Sequence, residues 1–219
     1  MRSLLIALKD LKDHGIIHRD IKHCNFLYSI ENHKGLLIDF GQSEYIDNPK
    51  IIINEKKREY LIKIKELQSR MHILSKVGTH SFIAPEILFK QEIQDFQQDI
   101  FSAGVLLLSL LAKRHPVLSY AKVDKNQFEQ KNFVLNQLLP LLYIFGSNYV
   151  TSECFKFGYG LYIPQNFPVR EPIDLRSLVR IKNYNDSAIN LLKRMLLFDP
   201  KERITVEEAL NHSFFSDIL

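Results

Sequence analysis

Leucines near the start of the chain recur at the spacing of one helical face: Leu4, Leu5, Leu8 and Leu11. The positions between them hold Ile6, Ala7, Lys9 and Asp10, and Gly15 follows as a stop signal. The pattern predicts an amphipathic helix over residues 2–13.

Two short apolar runs follow this helix. The segments NFLYSI and GLLIDFG are separated by the polar turn ENHKG, a pattern typical of a small β-hairpin. The polar residues just before the first run and just after the second should therefore lie at the two ends of that hairpin.

The most apolar part of the chain is DIFSAGVLLLSLLAKRHP, which predicts a helix buried on nearly every face and ended by Pro116. Its apolar run is about half the length of a membrane span, so we expect the core helix of a soluble protein.

A second helix with a proline stop is predicted in DSAINLLKRMLLFDP, and Thr205 with Glu208 has the spacing of a capping box. Residues 122–180 predict a helix around FVLNQLL and then a long irregular segment. The fold class is mainly α.

Composition narrows the function only slightly. Hydrophobic residues make up 46% of the 219, and the net charge of +4 is too small to indicate nucleic acid or a membrane surface. The two cysteines form no disulfide framework and no paired metal motif, which favours a reducing compartment. Charge is concentrated locally: residues 49–76 contain eight Lys or Arg and three Asp or Glu, a local excess of +5.

Four polar residues around the predicted hairpin have the chemistry of phosphoryl transfer. Asp20 could orient an attacking hydroxyl as a base, and Lys22 could neutralise charge on the transferred phosphate. Asn25 and Asp39 supply hard oxygen ligands for Mg²⁺. Each motif alone could be a simple turn, but their order and the hairpin between them make the combination specific.

The segment IIHRDIKHCNFL resembles the catalytic loop of eukaryotic protein kinases, and IDFG resembles their Asp-Phe-Gly motif. The resemblance continues in GTHSFIAPE, DIFSAG and DPKERIT. It implies ATP and Mg²⁺ as cofactors, Asp20 and Lys22 as catalytic residues, and Lys22, Asn25 and Asp39 as nucleotide or metal ligands. It also implies supporting roles for His18, Arg19, Thr79, Glu86, Asp99 and Arg203. A buried ion pair between Glu86 and Arg203 is expected, and Asp99 should tie the central helix to the catalytic loop.

As a kinase, residues 1–219 resemble a C-terminal lobe alone, with the N-terminal lobe absent. The activation segment would be residues 39–86, with a basic insert at about 49–76, and residues at about 122–180 would form an irregular insert. The chain resembles the cell-division-cycle-seven Ser/Thr kinases of replication initiation. The features that carry this resemblance are the long activation segment and the segments NFLY, FGSNYVTSECFKFGYGLYIP and DLRSL. That resemblance implies a protein substrate, possibly acidic, a regulatory activator subunit, and nuclear or cytoplasmic localisation. The small net charge and the short apolar run predict no direct nucleic-acid or membrane binding.

Three hypotheses fit these motifs. The first is a truncated Ser/Thr kinase chain, whose missing glycine-rich loop, strand Lys and helical Glu are encoded upstream of Met1; alone, it should neither bind ATP tightly nor transfer phosphate. The second is an inactive kinase-derived binding module. The third is a distant small-molecule phosphotransferase, which should lack the Ala-Pro-Glu motif and Arg203.

Overall fold

Helices dominate the computed structural model, which describes residues 1–46, 82–88, 95–114, 141–142, 144–156, 169–182 and 184–218. The helices are α1 (Arg2–Asp13), α2 (Pro85–Leu88), α3 (Gln97–Ala112), α4 (Ser147–Lys156), α5 (Asp186–Met195) and α6 (Val206–Leu210). The strands are β1 (Ile16–Ile17), β2 (Phe26–Ser29), β3 (Lys34–Leu37) and β4 (Glu44–Tyr45). Short 3₁₀ turns span His23–Asn25, Leu175–Leu178 and Ser213–Ile218.

The first helix has the predicted bounds. Leu4, Leu5 and Leu8 are buried on the face that packs against β3, α3 and α6. Gly15 follows with a φ of +71°, a left-handed conformation that glycine adopts without steric cost. The chain therefore turns directly from α1 into the strand that precedes the catalytic loop.

The predicted hairpin is formed by β2 and β3, which pair antiparallel from Phe26 opposite Leu37 to Ser29 opposite Lys34. A second small sheet pairs β1 with β4, placing Ile16 opposite Tyr45 and Ile17 opposite Glu44. The sequence pattern did not predict this second sheet. Its two strands are too short for periodicity to reveal them.

The central helix is α3, in which twelve of sixteen residues are buried. Gly104 allows a close approach to α5, since a Cβ atom there would lie 2.9 Å from the Cβ of Met195. The predicted end at Pro116 is wrong: α3 ends at Ala112, and Lys113 turns out of the helix with a left-handed φ of +48°. The Lys113 and Arg114 N–H groups then bond the carbonyls of Leu110 and Ser109.

Residues 122–180 contain more regular structure than expected. The segment that was predicted to be irregular contains α4 and the 3₁₀ turn Leu175–Leu178. The Asp174 side chain caps this turn by accepting a hydrogen bond from the Arg176 N–H. The helix predicted around FVLNQLL lies outside the described residues. The capping box at Thr205 and Glu208 is confirmed, with both of its hydrogen bonds present at the start of α6.

In the parts of the chain that the structure describes, no helix has the length and apolar character needed to cross a bilayer.

Candidate active site

Asp20 lies in the loop between β1 and β2, and its surroundings hold its carboxylate in one place. The residue is only 4% exposed. The Nζ atom of Lys22 donates to Oδ2 of Asp20 at 2.7 Å, and the amide Nδ2 of Asn25 donates to the same oxygen at 3.1 Å. Nδ2 of Asn25 also bonds the Asp20 backbone carbonyl at 2.9 Å. Three of the predicted site residues therefore form one cluster.

Asp39 follows β3 and lies at the same end of the hairpin as the catalytic loop. The expectation that the two would lie at different ends is wrong, because the first and last residues of an antiparallel hairpin meet at its open end. The Ile38 N–H donates to the Asn25 carbonyl at 2.9 Å, which fixes the residue before Asp39 against Asn25 of the catalytic loop. Asp39 itself is exposed and has a left-handed φ of +65°, with its Oδ1 atom accepting from the Gly41 N–H. A non-glycine residue in this region costs energy, and such strain is concentrated at functional sites.

His18 supports the loop from beneath. Its ring is fully buried, with Nε2 3.1 Å from the Ile38 carbonyl and Nδ1 3.3 Å from the Asp20 N–H. Because an N–H must face a carbonyl and a lone pair must face an N–H, these neighbours require a neutral ring protonated on Nε2. Burial lowers the pKa of His18, which also favours the neutral form. His18 thereby links the backbones of the two motifs.

Asp99, near the start of α3, binds the catalytic loop from the core side. Its carboxylate accepts from the His18 N–H at 2.7 Å and from the Arg19 N–H at 2.9 Å. Desolvation raises the pKa of Asp99 to about 7, and the two N–H donors oppose that shift. The expected connection between the central helix and the catalytic loop is present.

Arg19 has a carboxylate partner that sequence reasoning missed. Its guanidinium is almost fully buried, and Nη1 donates to Oε2 of Glu44 on β4. Glu44 was overlooked because only the pairing of β4 with β1 brings it back to the loop. An acidic residue five positions after Asp39, flanked by β-forming Tyr45 and Ile46, was the available signal.

Glu86 and Arg203 form the expected buried ion pair. Nη1 and Nη2 of Arg203 bond the two carboxylate oxygens of Glu86 at 2.6 and 2.9 Å, a bidentate arrangement. Further bonds from Arg203 to the carbonyls of Gln97, Leu197 and Phe198 complete its hydrogen bonding. The pair connects α2 to the segment between α5 and α6.

Thr79 lies outside the described residues, so its predicted support of the site stays a prediction. Cys24 is exposed, and its Sγ atom is 3.1 Å from Nε2 of His23.

The oxygen donors at this site suit Mg²⁺ bound together with phosphates. Because Nδ2 of Asn25 is bonded to Asp20, the amide oxygen is the atom that could face a metal, beside the exposed carboxylate of Asp39. Among the described residues no group of three or more His, Cys, Asp or Glu forms a metal site. Mg²⁺ commonly binds through one or two carboxylates and completes its shell with substrate phosphates and water, so this donor set fits.

Comparison with known proteins agrees with this geometry. The family model of the protein kinase domain matches residues 1–215. The chain therefore belongs to the protein kinase family.

Three relatives show the range of similarity within that family. The chain is 30% identical to "Probable cell division control protein 7 homolog 2" of Encephalitozoon cuniculi, covering 100% of this chain and 65% of that protein. It is 28% identical to "Cell cycle serine/threonine-protein kinase hsk1" of Schizosaccharomyces pombe, covering 97% and 46%. It is 32% identical to "Mitogen-activated protein kinase HOG1" of Gibberella zeae, covering 98% and 50%. The chain thus spans about half to two thirds of the length of these relatives.

Proposed function

We propose that this protein is a Ser/Thr kinase that transfers the γ-phosphate of ATP to protein hydroxyls. The observation that carries the proposal is the Asp20 carboxylate held between Lys22 and Asn25, with Asp39 fixed at the same end of the hairpin through the Ile38–Asn25 backbone bond. Phosphoryl transfer depends mainly on positioning and electrostatics, which this buried, hydrogen-bonded cluster supplies.

Each residue has a distinct part. Asp20 orients the substrate hydroxyl and accepts its proton, while the Lys22 ammonium would neutralise negative charge on the transferring group. Asn25 and Asp39 would hold Mg²⁺, which neutralises charge on the nucleotide phosphates when it is bound. His18 and Asp99 act on the backbone of the loop and keep Asp20 in place.

We propose that this chain is the C-terminal lobe of a kinase, an assignment supported by its predominantly helical described elements and small sheets. The bidentate Glu86–Arg203 pair favours a protein kinase over a small-molecule phosphotransferase, because the two motifs it joins are those expected to be missing from the latter.

We further propose a cell-cycle kinase of the replication-initiation type. The sequence features NFLY and DLRSL, together with the relatives named for cell division control, support this assignment. By this analogy the protein would act in the nucleus or cytoplasm, on protein substrates that include acidic ones, together with an activator subunit.

Binding and transfer of nucleotide test the proposal together. The longest product of the gene that contains these 219 residues should bind ATP in the presence of Mg²⁺ and phosphorylate Ser or Thr in a protein substrate. Asp39→Asn should weaken Mg²⁺-dependent ATP binding, whereas Asp174→Asn, a surface change at a 3₁₀ turn, should not. Partner binding without any Mg²⁺-dependent ATP binding would contradict the proposal and favour a kinase-derived binding module.

A further inference from the structure

The Arg19 side chain brings a full positive charge into the protein beside the catalytic loop. Its side chain is only 4% exposed, and its Nε atom has no hydrogen-bond partner among the described residues. A buried charge is costly unless an opposite charge or several hydrogen bonds compensate it. Within the described part of the chain, the Arg19 guanidinium forms an ion pair with Glu44, and the buried Asp99 carboxylate also interacts with its charge.

Glu44 is held in place by the small sheet rather than by its own side chain. In the β1–β4 pairing Glu44 lies opposite Ile17, and Ile17 is two residues before Arg19 in the sequence. On one side of Glu44, the Ser43 hydroxyl donates to the His18 carbonyl at 3.3 Å; on the other, the Ile46 N–H donates to the Gly15 carbonyl at 2.7 Å. Strand β4 and its neighbours are thus hydrogen-bonded to the residues that lead into the catalytic loop.

Arg19 is therefore anchored at two points. Asp99 accepts from its backbone N–H, and Glu44 accepts from its side chain. The backbone between these anchors has a left-handed φ of +69°, which a non-glycine residue keeps only when its surroundings enforce it. Asp20 is the next residue, so any relaxation of Arg19 would move the carboxylate that faces the substrate.

We infer that Glu44 is a positioning residue, which acts through Arg19 to hold Asp20 in its catalytic orientation. The inference rests on the proposed kinase function. On this inference β4 couples the Asp39 motif to the catalytic loop in two ways. The Glu44–Arg19 ion pair is one, and the backbone pairing of β4 with β1 is the other. Neutralising Glu44 should then disturb the chemical step and leave substrate binding intact.

Glu44→Gln is the test, because it removes the charge and preserves the shape of the side chain. In the longest gene product, this change should lower kcat about tenfold, the loss expected for one charge-assisted hydrogen bond, with KM for ATP and for peptide unchanged. Glu44→Asp, which keeps the charge, should recover part of the loss. Glu207→Gln is a matched control: Glu207 is similarly exposed, 41% against 37%, and its partner Lys12 lies on α1, away from the catalytic loop.

Amide hydrogen exchange provides a readout that does not depend on activity. Glu44→Gln should speed exchange at the Arg19 and Asp20 amides, and Glu207→Gln should not. If kcat and these exchange rates both equal those of the parent, the inference is wrong. A variant that melts earlier but keeps its kcat would likewise show that Glu44 only stabilises the fold. If the parent transfers no phosphate, the proposed function fails, while the exchange rates still decide whether Glu44 orders the loop.

Discussion

Arg203 binds both carboxylate oxygens of Glu86 across 117 positions of sequence, at 2.6 and 2.9 Å, and both side chains are at most 3% exposed. Removing one partner leaves the other charge buried without compensation. Arg203→Ala should therefore lower the free energy of unfolding by roughly 3 to 5 kcal/mol, measured by chemical denaturation.

A control pair separates burial from charge. Lys12 and Glu207 also form a two-bond ion pair, but both side chains are about a third or more exposed. Glu207→Gln should cost about 1 kcal/mol or less, because solvent already screens that pair. Unfolding of Arg203→Ala at the same denaturant concentration as the parent would contradict the structural role of Glu86 and Arg203.

Asp99 should make stability depend on pH. Burial raises its pKa from 3.8 to about 7 in the folded protein, so the folded state binds more protons than the unfolded state between these values. The stability contributed by the protonated form is complete below pH 3.8 and is lost as the pH rises to about 7. The slope from this group is at most about 1.4 kcal/mol per pH unit.

Asp99→Asn removes the titrating group and isolates its effect. The free energy of unfolding of the parent, minus that of Asp99→Asn, should fall between pH 4.5 and 7 in urea denaturation. A difference that is constant or rises over this range would show that the two backbone N–H donors keep Asp99 ionised in the fold.

The basic segment at residues 49–76 lies outside the described residues, and its predicted role rests on its charge. We expect it to contact acidic or phosphorylated partners. Replacing Lys56, Lys57 and Arg58 with Ser should weaken binding to an acidic peptide at low salt, and added salt should reduce the difference. Equal affinity of parent and variant at low salt would indicate a solvated surface without this role.

Local patterns predicted the parts of the fold that local interactions determine. The α1 bounds, the β2–β3 hairpin and the α6 capping box are encoded within a few residues of where they form. The predicted end of α3 was wrong, because the helix ends where Lys113 adopts a left-handed conformation. Glycine is the usual sequence signal for that conformation, and this position holds lysine. Helix α4 was missed because Pro140, Gly146, Gly158 and Gly160 flank it and favoured an irregular interpretation of the whole segment.

The candidate site shows the same division. Asp20, Lys22 and Asn25 are close in sequence, and their motif indicated their proximity. Glu44 was missed because its contact with Arg19 depends on a sheet of two-residue strands, in which alternation cannot be detected. The family resemblance, rather than spacing, indicated the long-range pair of Glu86 with Arg203.

The most direct test of the central claim compares the parent with Asp20→Asn in one preparation of the longest gene product. A single-turnover assay should follow the γ-phosphate of ATP to Ser or Thr of a protein substrate, with ATP affinity measured alongside. Asp20→Asn should bind ATP as the parent does and transfer phosphate about 10²- to 10⁴-fold more slowly, the contribution of a positioned base. Equal transfer rates in the two proteins, or no transfer by a parent that binds ATP, would contradict the account.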